Sequence, residues 1–145
     1  MASVHLVVGV AVLVLNLAAG IWGLVALRWR QASVSFWYVL RAAQASVLLQ
    51  VLLGALLLIA GHEPAEDIHY MYGSAPLLIN MFAEGMRVSA AQREVGDLDF
   101  ESLAAGEQRA IALRIVRREI VIMTFACFLV LAFAVRAAQV SGKLF

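Results

Sequence analysis

Residues 4–27, VHLVVGVAVLVLNLAAGIWGLVAL, decide the fold, because this stretch contains no Asp, Glu, Lys or Arg. An α-helix rises about 1.5 Å per residue, so the stretch is long enough to cross a hydrocarbon core of roughly 30 Å. Over the whole chain of 145 residues, 63% are hydrophobic, which exceeds the share that a soluble domain can shield from water. The sequence therefore predicts an integral membrane protein.

Three further apolar segments follow the first one, at residues 40–60, 70–87 and 119–138. With residues 4–27 they predict a single all-α integral membrane domain, residues 1–145, folded as a bundle of four transmembrane helices. Residues 88–118 predict an inner, cytoplasmic loop, of which 92–106 are polar and acidic. The last part of this loop, 107–118, has no Pro or Gly, so it predicts a helical extension of the fourth transmembrane helix.

The positions of Lys and Arg predict the orientation of the bundle, because cytoplasmic loops carry the excess of these residues. If the N-terminus is outside, most of the cations lie at the inner ends of the helices: Arg28, Arg30, Arg41, Arg87, Arg93, Arg109, Arg114, Arg117 and Arg118. The outer side then holds only Arg136 and Lys143. We therefore expect a multi-pass protein of a bacterial plasma membrane with both termini on the outer side.

The apolar segments contain several polar side chains, among them Asn16, Gln50, Asn80 and Glu84. A polar group that faces lipid is costly, so we expect all four to point into the bundle. Gln50 shares one helix face with Ser46 and Gly54. Glu84 has two interpretations: it is either a proton acceptor or contact for a quinone-like ligand, or a structural ion pair with Arg87 or Arg41.

The three histidines of the chain, His5, His62 and His69, all fall on the outer side in this topology. His5 and His69 lie at the outer ends of the first and third helices, which run in the same direction. Two facing imidazoles can hold a haem iron axially, so these two residues are candidate ligands of haem b, with Tyr72 or Tyr70 at the propionate edge. The alternative is that both histidines are interfacial residues bonded to water or to loop backbone.

A further alternative is an outer-side copper site made of His5, His62, His69 and Met71, because imidazole and thioether both suit copper. The single cysteine, Cys127, has no partner for an intramolecular disulfide. The sequence contains no Gly-rich phosphate loop, zinc-binding His-Glu pair or nucleophile elbow. We therefore expect a protein without catalytic residues of its own.

The residues favour the function of a non-catalytic accessory subunit in a larger respiratory or electron-transfer membrane complex. The arginines between 109 and 118 form a cationic inner collar, which can dock a partner subunit or attract anionic lipid. A net charge of +1 gives no reason to expect nucleic acid. The expected partners are membrane lipid and either other membrane subunits or further copies of the chain. The alternative functions are a bis-histidine haem b electron carrier and a copper-binding membrane protein.

Several segments carry a resemblance to known proteins: LLQVLLG at 48–54, GHEP at 61–64, HYMYG at 69–73 and RRE at 117–119, together with the early His5. In this pattern the chain resembles a family of small four-helix membrane proteins of actinobacteria and Chloroflexi-type bacteria, a likeness that implies a fold and no activity. It is also faintly similar to one four-helix half of haem A synthase, which implies a bundle that holds haem or works beside haem proteins. The histidines here lie on helices one and three, whereas the ligands of that enzyme lie on even-numbered helices.

Overall fold

The chain is almost entirely helical in a computed structural model that describes residues 2–62, 66–96 and 98–141. These residues form four α-helices, α1 (Ala2–Trp29), α2 (Val34–Ile59), α3 (Ile68–Val95) and α4 (Ala105–Val140), and a short 3-10 turn at Phe100–Ser102, with no strand among them. The predicted all-α class is confirmed. The helices are longer than the apolar segments from which they were predicted.

Two of these differences have clear local causes. Helix α2 begins at Val34, before residue 40, because the Ser33 hydroxyl accepts a hydrogen bond from the Phe36 N–H and caps the helix. Helix α3 continues to Val95, so the prediction of a loop from residue 88 onward is wrong. Residues 90–94 are Ala, Ala, Gln, Arg and Glu, all good helix formers, and the helix ends only at Gly96, where φ is +53°.

Helices α1 and α2 end in the same hydrogen-bonded turn, the Schellman motif. In α2 the left-handed residue is Gly61, with φ of +78°, and the His62 N–H donates to the Leu57 carbonyl. In α1 the equivalent position is held by Arg30, with φ of +53°, and the Gln31 N–H donates to the Ala26 carbonyl. Glycine adopts this conformation most readily, so an arginine there carries a conformational cost.

The four helices form a ring in which α1 packs on α2 and α4, and α3 packs closely on α4 and sparsely on α2. Helices α1 and α3 therefore lie diagonally across the bundle. The larger core cluster includes Phe36, Leu40, Ile120, Met123 and Cys127, all essentially buried. A second, smaller cluster of Val12, Val47 and Val130 lies nearer the end that holds His5 and His69.

Glycines bring α1 and α4 into close contact. A Cβ at Gly23 would overlap Thr124 Oγ1, and a Cβ at Gly20 would lie 2.9 Å from the tip of the Phe128 ring. Small residues at a helix interface let backbones approach in this way, which is how helices associate in lipid. This Gly20–Gly23 seam holds the two helices together.

The outward surface of the bundle is apolar. Helices α1, α2 and α4 are long and apolar enough to cross a membrane, whereas α3 is not apolar enough by the same measure. Exposed residues such as Val14, Leu52 and Phe125 lie on these three helices and suit acyl chains better than water. The chain is thus a helical membrane protein with three candidate membrane-spanning helices in its described part.

Candidate functional site

A cavity of about 580 Å³ opens inside the bundle at the end that holds the start of α1 and the end of α4. All four helices line it, and most of its wall is apolar. Its polar groups include His5, Gln50 and His69, with His62 and Tyr70 also in the lining. A volume of this size lies within the roughly 300–1,000 Å³ typical of small-molecule and cofactor sites.

The two candidate ligands, His5 and His69, face each other in this cavity. Their ring centroids are 6.5 Å apart and the rings are inclined at 58°. A metal lies about 2 Å from a ligating imidazole nitrogen, so two axial histidines on one metal have centroids roughly 6 Å apart. The observed separation is therefore close to the one that a shared axial metal needs.

A hydrogen bond sets the tautomer of His69. Its Nδ1 lies 3.0 Å from the carbonyl oxygen of Ala137 on α4. A carbonyl can only accept, so Nδ1 carries the proton and Nε2 keeps its lone pair. Metal-binding histidines commonly have this arrangement, in which the second nitrogen donates to a backbone carbonyl and orients the ring.

Gln50 holds the other histidine. Its amide nitrogen lies 3.1 Å from His5 Nε2. The Gln50 Oε1 atom is buried and finds no hydrogen-bond partner among the described residues. A buried amide oxygen of this kind is costly unless something in the cavity bonds to it, so Gln50 is a second polar anchor for a ligand.

Three glycines line the cavity near the two imidazoles. Gly9 follows His5 by four residues and Gly73 follows His69 by four residues, so each glycine lies on the same helix face as its histidine, one turn further on. Both glycines line the cavity, as does Gly54 of α2, where a Cβ would lie 3.3 Å from His5 Cε1. The repeated spacing His-x-x-x-Gly is visible in the sequence at residues 5–9 and 69–73.

The remaining residues predicted near the histidines lie in different places. Tyr72 does not line the cavity: its ring packs 6.0 Å from that of Phe133, and Arg136 lies over it. Tyr70 lies at the cavity instead. Met71 is 54% exposed and points away from His69, because residues two apart on a helix do not share a face. Within the described residues no group of three His, Cys, Asp or Glu side chains could hold a metal ion.

The other predicted polar residues face the bundle interior, as expected. Asn16 is buried and donates from Nδ2 to the Val12 carbonyl at 2.8 Å. Asn80 is also buried, and its Nδ2 has no partner among the residues that the structure describes. Neither residue lines the cavity. The Asn16 amide therefore bonds within its own helix, whereas the Asn80 Nδ2 donor is unused among the described residues.

Glu84 lies in an ion-pair network near the opposite end of the bundle. Its carboxylate accepts hydrogen bonds from Arg41 and Gln44 of α2 and from Arg87 of its own helix, the last at 2.9 Å. Arg87 also donates to Glu119 of α4 at 3.0 Å. These contacts join three helices, so the structure favours the ion-pair interpretation of Glu84 over a role in binding a ligand in the cavity.

One part of the site has no sequence signal at all. The carbonyl of Ala137 is a backbone group, and any residue at that position supplies the same oxygen. Its role follows only from how α4 packs against α3.

Comparison of the chain with protein-family models, with curated proteins and with solved structures found no match.

Proposed function

We propose that the protein is a small membrane haem protein in which His5 and His69 are the axial ligands of haem b. The observation that carries this proposal is that two imidazoles face each other at 6.5 Å across an apolar cavity, with His69 Nδ1 bonded to a backbone carbonyl. Gly73 supports it, because a Cβ there would lie 3.9 Å from His69 Nε2 and a flat ring system needs space beside its ligand. The sequence alone favours the accessory-subunit function over haem binding. The cavity between His5 and His69 leads us to place haem binding first.

If His5 bound iron through Nε2, it would give up its contact with the Gln50 amide, which lies 3.1 Å away. Gln50 would then be able to bond to another group in the cavity. Haem held by His5 and His69 would supply electron transfer, with a potential that depends on hydrogen bonds to the ligands and on burial.

An absorption spectrum of the detergent-purified protein tests the proposal. After expression with ample haem supply we expect a Soret band, which is lost in His5→Ala and in His69→Ala. His62→Ala is the matched control: His62 also lines the cavity but is exposed at its edge, so the band stays. A colourless wild-type protein under these conditions would end the haem proposal, as would equal haem content in the His69 and His62 variants.

We propose further that α3 also crosses the membrane, which makes four spans. Its low apolar content comes from residues that face the bundle, such as Asn80, Glu84 and Arg87. Its outward residues are apolar and exposed, including Met81 at 63% and Phe82 at 74%. Because α3 packs along α4 at the same depth, a helix with such a lipid-facing side is suited to the bilayer.

The distribution of cations supports an orientation with both termini on the outer side of a bacterial plasma membrane. The ends of α1 and α3 and the starts of α2 and α4 carry most of the arginines, and they lie at the end opposite the histidine cavity. Cysteine labelling tests this in a Cys127→Ala background. Asp67→Cys should react with an impermeant reagent from outside intact cells and Asp99→Cys should not, and labelling of both from one side would refute the orientation.

A second candidate function is that of an accessory subunit in a respiratory or other electron-transfer complex. The observation that favours it is the long N-terminal part of α4, which extends beyond the apolar segment together with the end of α3 and exposes Leu113. Purification from native membranes in mild detergent tests it, and co-purifying oxidoreductase subunits would support it. The resemblance to small four-helix proteins and to half of haem A synthase is compatible with both functions and stays a proposal.

A further inference from the structure

A basic cleft lies at the end of the bundle opposite the histidines. It has a volume of about 440 Å³ and is formed by Ala90 of α3 and by Arg114, Arg117, Arg118, Val121 and Ile122 of α4. Most of the cleft wall is apolar, and three arginine side chains contribute to it. The residues at positions 114, 117, 118 and 121 share one helix face, since they recur at intervals of three or four.

The charges in this cleft are only partly balanced. Glu94 of α3, whose side chain is 11% exposed, accepts from Arg114 at 3.2 Å and from Arg118 at 2.8 Å. Arg117 forms no ion pair with any residue that the structure describes. Three guanidinium groups and one carboxylate thus lie on this surface, which leaves an excess of two positive charges. Arg114 and Arg118 are more than half exposed, so their remaining N–H donors are free to bind an anion.

The surface next to the arginines is apolar and open. Val121 is 49% exposed and Phe125, one turn further along α4, is 65% exposed. This is the part of α4 that is apolar enough to cross the membrane. A ligand that fits the whole surface therefore has a negatively charged head at the arginines and a hydrocarbon chain along Val121 and Phe125.

We propose that this cleft binds an anionic phospholipid whose headgroup carries two phosphates. Charge complementarity favours two phosphates over one, because two positive charges are unbalanced. Basic pockets between transmembrane helices on the cytoplasmic side are typical sites for such headgroups. An acidic protein segment would match the arginines but not the exposed apolar face below them. The proposal is independent of haem binding.

Native mass spectrometry of the full chain in detergent tests the proposal by titration with three lipids: cardiolipin, phosphatidylglycerol and phosphatidylcholine. We expect retention in the order cardiolipin, then phosphatidylglycerol, with phosphatidylcholine lowest. Arg117→Gln should lower the affinity for cardiolipin about fivefold, the effect of one arginine near an anionic headgroup. Arg109→Gln is the matched control, since Arg109 lies on the same helix, outside the cleft and without an ion pair among the described residues.

Three results would overturn the proposal. The first is equal retention of phosphatidylcholine and cardiolipin by the wild-type protein. The second is an equal loss of cardiolipin in Arg109→Gln and Arg117→Gln, which would indicate general surface charge. The third is binding of inorganic pyrophosphate as tight as that of cardiolipin, which would indicate a soluble anion site. Circular dichroism of each variant checks that the helices remain folded.

Discussion

Gly23→Ala tests the packing of α1 against α4. A Cβ at this position would overlap Thr124 Oγ1 and would lie 3.0 Å from Phe36 Cε2 and 3.1 Å from Thr124 Cβ. Phe36 is completely buried and Thr124 is almost so, which leaves neither side chain room to move. The two helices must therefore separate slightly to admit one methyl group.

The size of the effect follows from two opposing contributions. Overpacking a close interface costs about 1–3 kcal/mol of unfolding free energy. Alanine is a better helix former than glycine by up to about 1 kcal/mol, which offsets part of this cost. We expect a net destabilisation of about 1–2 kcal/mol for Gly23→Ala.

Two other glycines provide matched controls. A Cβ at Gly85 of α3 meets nothing within 4 Å, so Gly85→Ala should leave stability unchanged or raise it slightly. A Cβ at Gly20 meets only the tip of the Phe128 ring, which can turn aside, so Gly20→Ala should fall between the two. The expected order of stability is Gly85→Ala, then Gly20→Ala, then Gly23→Ala.

A double variant tests the cause directly. Thr124→Ala removes the hydroxyl that the new methyl group would strike, and this hydroxyl has no hydrogen-bond partner within the described residues. Gly23→Ala with Thr124→Ala should therefore regain part of the lost stability, with a coupling of about 0.5–1 kcal/mol. The assay is equilibrium unfolding in mixed detergent micelles, followed by circular dichroism. A Gly23→Ala protein as stable as Gly85→Ala, or one that Thr124→Ala does not rescue, would refute this account of the interface.

Three further predictions concern other parts of the bundle. Glu84→Gln should cost about 1–2 kcal/mol in the same unfolding assay and more than Glu119→Gln, because Glu84 accepts from two helices, whereas Glu119 has Arg87 as its one side-chain partner among the described residues. Equal losses would contradict this. Ser33→Ala should cost about 1 kcal/mol and change the fluorescence of Trp22, whose Nε1 donates to the Ser33 hydroxyl at 3.0 Å, and an unchanged spectrum would argue against that contact. Gly73→Leu should fill the cavity and abolish haem uptake with little loss of helicity, measured by the Soret band and by circular dichroism, and full haem content would place the ligand elsewhere.

The sequence predicts those features that depend on the chemistry of individual side chains. Long uncharged stretches predicted the helices, and the cost of polar groups in lipid predicted that Asn16, Asn80 and Glu84 face the interior. The shared depth of His5 and His69 followed from helix direction alone. Each of these predictions depends on the chemical type of a residue and on its position in a helix, and it requires no knowledge of which residues pack against it.

Other features depend on packing between segments, and the sequence does not reveal them. Tyr70 or Tyr72 was predicted near the histidines, and the rotation of α3 about its axis decides between them: Tyr70 lines the cavity and Tyr72 packs on Phe133. The Ala137 carbonyl that orients His69 has no side-chain signal. The length of α3 was underestimated because residues 92–94 are Gln, Arg and Glu, and hydropathy measures membrane spanning rather than helix formation.

Arg30, at the end of α1, affects both the stability of the fold and the interaction of the protein with lipid. Arg30 adopts a left-handed conformation that costs roughly 1 kcal/mol relative to glycine. The attraction between one arginine and an anionic leaflet has about the same size. Arg30→Gly should therefore stabilise the protein in neutral micelles and lose this advantage in anionic bilayers. The residue at this turn is then explained by the lipid around it, because only an anionic leaflet offsets the conformational cost of Arg30.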